Sequence, residues 1–434
     1  MPTPRLVLVA TALVPVAAVG TAIGLGTAVL ALDAALLGLA WIASRFVPDV
    51  KNLRIQRRMD AVLSNRVANR VLLTVENDGD ERVRGHLRDE PPLRFGEGAK
   101  VFRLDLAPGA QETLEYAVTP PERGEAVFPG TFLRLDTPLG LAWRQIELPT
   151  ESTIEVYPNV LALQQFDLLN QQGRLREIGI RKSRMRGQGT EFESLREYTD
   201  GDDVRRIDWA ATARRQKPIV RQYEVERNQA VVLCVDCGRH MLAEVNGVRK
   251  LDHVLDAILM LAHTAAGAGD NVGVMAYSDG PIVYVPPKKG RDAIGVMLHA
   301  LHDLEAEPIE TDAVKSFAYL AARVKRRALV LNFTAMPDAL RAKEIVTGLS
   351  PMLRRHLVLT VDVSDPKLKE SLNRRIDSGA AMAEVAAAQW IERDRREALA
   401  YAAASRLRTL EAEPQDLAAA LVNAYLDVKA RGAL

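Results

Sequence analysis

The chain contains almost no cysteine and no excess charge of either sign. Only Cys234 and Cys237 occur among 434 residues, which excludes a disulfide framework and gives no indication of an oxidising compartment. Lysine and arginine number 57 against 56 aspartate and glutamate, and the net charge of +1 argues against a nucleic-acid partner. Aromatic residues make up only 5%, but 48% of the residues are hydrophobic, enough for more than one core. Length and composition therefore predict a globular protein of two or three domains.

The two cysteines form a C-x-x-C, a spacing that occurs in redox and metal sites. They lie in "AVVLCVDCG", which is typical of a buried β-strand. Residues three apart in a strand point to opposite faces and do not easily reach disulfide geometry. We therefore predict a structural role for both thiols.

One long hydrophobic run is present at the start of the chain, where residues 6–44 contain a single charge, Asp33. One helix of that length would extend about 58 Å, roughly twice the hydrocarbon core of a bilayer. We therefore predict a transmembrane helical hairpin over residues 1–50, with a turn near "GTAIGLG". A secretory signal peptide is the alternative, although the apolar sequence continues beyond a normal h-region. Asp33 is either a functional intramembrane charge or a residue near the outer interface.

The charges that follow this run predict its orientation. Arg45, Lys51, Arg54, Arg57 and Arg58 crowd its end, and the positive-inside rule places that end in the cytoplasm. The expected location is thus the inner membrane, with two passes, the lipid bilayer as one partner and the soluble domains cytoplasmic.

Residues 51–160 consist of short alternating runs such as "RVLLTVEN", "KVFRLDLA" and "TFLRLDT". Segments rich in Gly, Pro and Asp separate these runs at intervals of about ten residues, which predicts an antiparallel β-sandwich. We find no nucleophile or acid–base pair in this domain, and a binding or spacing role is expected.

Residues 229–434 alternate apolar strands with amphipathic helices, which predicts an α/β domain with a largely parallel sheet wrapped on both faces. Ligands of such sheets bind at the carboxyl ends of strands. Asp236, which ends the strand "AVVLCVD", is therefore the candidate site residue. The sequence contains no phosphate-binding loop, nucleophile elbow or H-E-x-x-H motif, and we predict that the protein is not an enzyme.

The segment 161–228 connects these domains and contains the dense charge cluster "RGQGTEFESLREYTDGDDVRRIDWAATARR". In the strand that follows, "KPIVRQYEVE", Arg221 shares the apolar face and requires a carboxylate partner. We predict a lock between Arg221 and a nearby aspartate, with Trp209 as an apolar anchor on a short helix. The alternative is a docking face, because arginine beside an aromatic residue is typical of interface hot spots. The candidate aspartates are Asp200, Asp202, Asp203 and Asp208.

The stretch "VVLCVDCGRHM" resembles the metal-site loop of von Willebrand factor A domains, which have a Rossmann-type fold. In that family a D-x-S-x-S motif, a later threonine and a later aspartate hold a divalent cation, and hard oxygens suit this role. Asp236 matches, but several other positions do not. The degenerate site comprises Asp236, Gly238 and His240 at the motif, Thr311 or Asp312 as the middle ligand, and Ala335 beside Thr334 at the last position.

This resemblance leaves two roles for Asp236. No metal or cofactor is predicted, and Asp236 is expected to cap a helix or to pair locally. Residual magnesium binding is the alternative, and it would make the protein a divalent-cation-dependent receptor for a protein ligand.

A second resemblance covers nearly the whole chain. The long motif "GTEFESLREYTDGDDVRRIDWAATARR" followed by "IVRQYE", together with "RGEAVFPGTFLRLDTPLGLAWR", is similar to the bacterial "domain of unknown function 58" family. The matching positions are Gly189, Phe192, Leu195, Arg196, Tyr198, Gly201, Asp202, Arg205, Ile207, Asp208, Trp209, Ala213, Arg214 and Arg221.

This resemblance implies a membrane-anchored protein with a von Willebrand A-like domain that is associated with MoxR-type AAA+ ATPases. The expected function is a non-enzymatic adaptor for such an ATPase and for other membrane or cytoplasmic proteins, with no nucleic acid. A hydrolase whose nucleophile and base meet only in space is the remaining alternative.

Overall fold

The computed structural model describes residues 4–22, 26–43, 52–136, 143–159, 161–172, 174–180, 191–199, 202, 204–224, 228–290 and 292–432. The chain divides into two compact units, Met1–Tyr157 and Pro158–Leu434. The first contains two helices and a set of β-sheets, and the second is a mixed α/β structure. The protein is therefore multi-domain.

Two helices begin the first unit: α1, Pro4–Ala22, and α2, Gly26–Ala43. The predicted pair of helices is thus present, and α2 includes Asp33, whose side chain lies outside the described residues. Within the described part of the chain, no helix combines the length and the apolar character that crossing a bilayer requires. The assignment of this pair as a transmembrane hairpin is therefore not confirmed.

The rest of the first unit is built from ten strands arranged in three sheets. The sheet orders are β1-β3-β6, β2-β10-β7 and β5-β4-β8-β9. Most neighbouring strands are antiparallel, and β2 and β10 form the parallel pair. The strands are β1 Leu53–Met59, β2 Val62–Ser64, β3 Asn69–Asn77, β4 Val83–Asp89, β5 Lys100–Leu106, β6 Gln111–Val118, β7 Gly124–Phe128, β8 Thr131–Asp136, β9 Trp143–Leu148 and β10 Ser152–Tyr157.

Alternation along these strands creates one core for all three sheets. In β3, buried residues alternate with half-buried or exposed ones, as the period of two in a strand requires. Val71 and Leu73 of β3, Leu87 of β4, Leu133 of β8 and Val156 of β10 lie in the same hydrophobic cluster.

A buried ion pair crosses this core. Arg57 of β1 binds Asp89 at the end of β4 through both a short Nη2–Oδ1 contact and an Nε–Oδ2 hydrogen bond of 3.2 Å. The hydroxyls of Tyr116 and Thr131 donate to the same carboxylate at 2.5 and 3.0 Å. Burial and the Asp89 charge raise the pKa of Tyr116 well above its usual value, so the phenol stays a donor. The carboxylate is therefore fully satisfied, as a buried charge requires.

The second unit contains ten strands and nine α-helices among its described residues. Its strands are β11 Glu191–Glu197, β12 Ile219–Glu224, β13 Ala230–Asp236, β14 Glu244–Val245, β15 Val248–Arg249, β16 Asn271–Tyr277, β17 Pro281–Lys289, β18 Ala328–Phe333, β19 Leu357–Val363 and β20 Arg408–Ala412. Its helices are α3 Leu161–Gln171, α4 Trp209–Arg215, α5 Lys250–Gly267, α6 Asp292–Leu301, α7 Ala313–Arg323, α8 Ala339–Leu353, α9 Pro366–Leu372, α10 Gly379–Ala404 and α11 Pro414–Ala430.

A six-stranded sheet of order β17-β16-β13-β18-β19-β20 organises this unit. All its pairings are parallel except that of the edge strand β17 with β16. Helices α5, α6 and α11 cover one face, and α7, α8 and α10 cover the other. The predicted α/β domain with a largely parallel sheet is present, and the carboxyl ends of β13, β18 and β19 meet at one edge.

The two cysteines lie on opposite faces of this sheet. Cys234 belongs to the cluster under α7 and α8, and Cys237 belongs to the cluster under α5. Both are buried free thiols, and burial raises the pKa of Cys234 well above its usual value. Because they lie on opposite faces, the two thiols do not reach disulfide geometry, as the strand pattern predicts.

We expect Asp89→Ala to lower the free energy of unfolding by about 3–5 kcal/mol, because it leaves the Arg57 guanidinium buried without its carboxylate. Urea denaturation, with hydrogen exchange to assign the loss to β1 and β4, measures this. Asp105→Ala is the control, because the ion pair of Asp105 with Arg82 is exposed and should leave the midpoint unchanged. Equal midpoints for the two variants would contradict the role of the buried pair.

Candidate functional site

The segment from Glu191 to Glu224 forms a small antiparallel hairpin. Strand β11 pairs with β12, with Leu195 opposite Arg221. The connection carries a short 3-10 helix and α4, and a bridge between Ile207 and Val220 folds it back onto β12. A hydrogen bond of 2.8 Å from the Asp208 amide to the Ile219 carbonyl fastens this return. Backbone hydrogen bonds therefore hold the connection against β12.

An arginine–aspartate fork fixes the start of the connection. Arg196 donates from Nη1 to Oδ2 of Asp202 at 2.7 Å and from Nη2 to Oδ1 at 2.5 Å. The amide and hydroxyl of Thr199 donate to Oδ2 at 2.9 and 3.0 Å. The Arg196 guanidinium and the Thr199 amide hold the pKa of Asp202 well below its usual range. Both partners belong to the hairpin, so this fork orders the loop.

The predicted ion pair between Arg221 and an aspartate stays a prediction. The Arg221 backbone lies in β12, but its side chain is outside the described residues, as is that of Phe192. Gly189 and Gly201 also lie outside them. The half-buried Tyr198 follows β11 and donates its amide to the Pro218 carbonyl at 2.9 Å.

The prediction that Trp209 anchors the segment is wrong. Asp208 caps α4 by accepting from the Ala211 amide at 2.9 Å. Ala211 and Ile219 are buried, whereas Trp209 is 69% exposed. The small residues of α4, rather than its aromatic residue, pack against the hairpin.

The connection between β11 and β12 carries exposed apolar and cationic groups. Trp209 and Val204 are exposed large hydrophobic residues, and Arg205 and Arg214 are exposed beside them in sequence. Arg214 donates from Nε to the Ala210 carbonyl at 3.2 Å, which keeps its stem along α4. We refer to these four exposed residues, Val204, Arg205, Trp209 and Arg214, collectively as the hairpin face.

The second group of predicted residues lies at the carboxyl edge of the six-stranded sheet. Asp236 is 1% exposed, and its Oδ1 accepts from the Gly238 amide at 2.8 Å. Its Oδ2 accepts from the hydroxyls of Thr334 at 2.5 Å and Thr311 at 3.4 Å, and from Arg341 Nη2 at 3.1 Å. The predicted local pairing of Asp236 is therefore observed, together with a cationic partner that was not predicted.

Arg341 reaches this edge from the first turn of α8. Asp338 caps that helix by accepting from the Arg341 amide at 2.8 Å. The guanidinium is buried, and its Nη1 also donates to the Thr311 carbonyl at 3.0 Å and to Glu344 at 3.2 Å. Burial lowers the pKa of Arg341, but the charge of Asp236, the neighbouring Tyr277 and the hydrogen bonds to Glu344 and Asp236 together raise the net pKa. A signal was available in sequence, because Arg341 falls on the buried face of α8.

The remaining positions of the degenerate site do not converge on Asp236. His240 lies 3.7 Å from the Glu310 carboxylate. Asp312 caps α7 by accepting from the Lys315 amide, so Thr311 and not Asp312 contacts Asp236. Ala335 is buried and supplies no ligand oxygen.

The surroundings of Gly238 leave no room for a serine side chain at this position. A Cβ added there would lie 2.5 Å from Thr311 Cγ2 and 2.9 Å from the Ile309 carbonyl oxygen. Both distances are shorter than van der Waals contact, so the loop after β13 is built for glycine. Thr311 thus contacts both neighbours: its methyl group fills the space beside Gly238, and its hydroxyl donates to the Asp236 carboxylate.

Two further carboxylates near this edge have cationic partners. Asp362 of β19 lies 3.2 Å from Lys250 Nζ at the start of α5. Glu411 of β20 accepts from Arg395 of α10 at 2.7 Å. Burial raises the pKa of Glu411, and the Arg395 charge opposes that effect. The carboxyl ends of β13, β19 and β20 are each neutralised from within the chain.

A match to a known protein family covers most of the hairpin and most of the six-stranded sheet. Residues 194–406 match the family described as "Protein of unknown function DUF58". Uncharacterized protein Rv1480 of Mycobacterium tuberculosis and uncharacterized protein Mb1516 of Mycobacterium bovis are each 28% identical over 183 residues. The alignment covers 42% of this chain and 57% of each relative, so the chain spans little more than half the length of these relatives.

Two solved structures show weaker similarity. The conserved hypothetical protein BatB from Bacteroides thetaiotaomicron is 12% identical, with a TM-score of 0.28 over 47% of this chain and 99% of BatB. The CARDB domain of the PF1109 protein from Pyrococcus furiosus is 17% identical, with a TM-score of 0.19 over 25% of this chain and 94% of that domain. TM-scores this low do not establish a shared fold.

We expect Gly238→Ser to lower the free energy of unfolding by about 1–3 kcal/mol, because the new side chain overpacks against Thr311. Adding Thr311→Ser, which removes the contacting methyl group, should recover part of that loss. Chemical denaturation of both single variants and the double variant gives the interaction free energy between the two positions. Gly295→Ser is the control, because a Cβ there meets nothing within 4 Å. Additive single effects would contradict the steric explanation.

Proposed function

Because the chain belongs to the DUF58 family of proteins of unknown function, matched over residues 194–406, we propose that it is a non-enzymatic membrane-anchored adaptor. It presents a von Willebrand A-like α/β domain to a MoxR-type AAA+ ATPase in the cytoplasm. The observation that carries this proposal is the exposed hairpin face, which lies within the family match.

The hairpin face has the composition of an interface hot spot. Tryptophan and arginine are the residues most enriched at such sites, and Trp209 is exposed at the start of a capped helix. The Arg196–Asp202 fork holds the loop that precedes α4. The hairpin face is therefore ordered before a partner binds. A preorganised face loses less entropy on binding, which favours docking over a purely structural lock.

The chemistry of the sheet edge supports a non-enzymatic role. Asp236, Asp362 and Glu411 are each engaged with a cation of the same chain. A general base needs a carboxylate that can reach a substrate proton, and these contacts oppose that use. The buried thiols of Cys234 and Cys237 are likewise separated from solvent.

The N-terminal helices supply the attachment to the membrane in this proposal. Among their described side chains, Leu8, Val14, Leu30 and Trp41 are exposed large hydrophobic residues. Several such residues on adjacent helices are typical of a surface that contacts lipid or another protein. Together with the basic residues that follow, they favour association with the inner membrane and a cytoplasmic location for the two β-containing regions.

We expect Leu30→Glu to lower the membrane-to-supernatant ratio of the full chain by about ten-fold or more, because a carboxylate is strongly disfavoured in lipid. Carbonate-washed membrane fractions, quantified by immunoblot, measure this ratio. Leu340→Glu is the matched control, since Leu30 and Leu340 are both 70% exposed and Leu340 belongs to α8. A full chain found only in the supernatant would contradict membrane attachment.

We expect Trp209→Ala to weaken binding of the MoxR-type ATPase by about 30-fold without changing the melting temperature, because the ring is exposed. The test is cross-linking in native membranes, detergent solubilisation, and mass spectrometry of the co-purified proteins. Trp390→Ala is the matched control, since Trp390 of α10 is also 69% exposed. Recovery of an ATPase that depends on Trp390 and not on Trp209 would place the docking face elsewhere. Recovery of envelope proteins alone would contradict the adaptor function.

A further inference from the structure

One oxygen of the Asp236 carboxylate, Oδ2, is surrounded by donors of the same chain. Each carboxylate oxygen accepts about two hydrogen bonds in protein structures. Oδ2 already accepts from Thr311, Thr334 and Arg341, and Oδ1 accepts from the Gly238 amide. A divalent ion bound to Oδ2 would have to displace the guanidinium.

Further hydrogen bonds hold the Arg341 guanidinium in place. Besides its contact with Asp236, Arg341 makes a short Nη2 contact with the Thr311 hydroxyl and donates from Nη1 to the Thr311 carbonyl at 3.0 Å. The side chain is only 3% exposed, and a guanidinium carries its charge at every physiological pH. A second positive charge within the same few ångströms would be strongly repelled in this buried environment.

The residues around Asp236 do not complete a metal shell. Gly238 supplies no hydroxyl, and its loop has no room for one. Ala335 supplies no carboxylate, and the two threonine hydroxyls are used as donors to Asp236. Magnesium requires close to six oxygen ligands in octahedral geometry, so the residues present do not fit it while Arg341 is in place.

We propose that the Arg341 guanidinium occupies the place of a divalent cation at the carboxyl edge of the sheet and excludes such an ion from Asp236. The edge is thereby held together independently of metal concentration. Removing the guanidinium leaves Asp236, Thr311 and Thr334 as a partial oxygen shell that a divalent ion can enter. This inference does not rest on the adaptor function, because it concerns the buried edge and not the hairpin face.

The test compares the full detergent-solubilised chain with Arg341→Ala and with Arg341→Gln, which keeps a polar amide and protects against loss of folding. After EDTA treatment, melting temperatures are measured with and without millimolar Mn²⁺, and bound Mn²⁺ is quantified by electron paramagnetic resonance. The wild type should melt at the same temperature in EDTA and in Mn²⁺. Each Arg341 variant should melt lower, by on the order of 10 °C for alanine, and Mn²⁺ should restore part of that loss.

Two controls locate the response. Asp236→Asn combined with Arg341→Gln should abolish Mn²⁺ binding, because the carboxylate is lost. Arg396→Ala, which removes an exposed guanidinium on α10, should melt like the wild type and show no response to Mn²⁺. Saturable Mn²⁺ binding by the wild type that disappears in Asp236→Asn would overturn the proposal, and this readout does not require an Arg341 variant to fold. Absence of Mn²⁺ binding in a folded Arg341 variant would overturn it as well.

Discussion

The pairing of the Asp236 carboxylate with the Arg341 guanidinium is the constraint on which the carboxyl edge of the sheet depends. A buried carboxylate is stable only when its charge and its acceptor positions are satisfied. Here the donors come from the loop before α7, from the residue after β18 and from the first turn of α8. One charge pair therefore joins three connections that would otherwise be independent, and it requires a glycine at position 238 to let Thr311 approach.

The first unit uses the same physical solution in a different architecture. Arg57 and Asp89 are buried between strands of different sheets, and the hydroxyls of Tyr116 and Thr131 complete the carboxylate. The Arg196–Asp202 fork differs because it is accessible to solvent, where an ion pair contributes little to global stability. Its geometric effect is to order the loop that precedes α4, on which Trp209 is exposed. Buried pairs thus hold the two cores, and an exposed pair arranges the proposed docking face.

Much of the second unit was predictable because its signals are local. The strand Ala230–Asp236, the opposite orientation of its two cysteines and the helix Lys250–Gly267 follow from periodicities of two and 3.6 residues. The sequence offers both Thr311 and Asp312 as the middle ligand. Only the tertiary structure shows that Thr311 contacts Asp236 and that Asp312 caps a helix instead. The aromatic character of Trp209 favours burial, but the small Ala211 takes the buried side of α4 and leaves the indole exposed. The membrane spans and the Arg221 lock stay predictions.

The sequence by itself determined the alternation of strands and helices from Ala230 to Val363, the family, and the position of Asp236 at the end of a buried strand. These features depend on interactions between residues a few positions apart, so the pattern of side chains is sufficient to specify them. Only the tertiary structure decided what Asp236 binds. Its cationic partner lies 105 positions later in the chain, and nothing in local patterning links two residues at that separation. The sheet brings them together because parallel strands end at one edge, and burial there makes an unpaired charge too costly to retain.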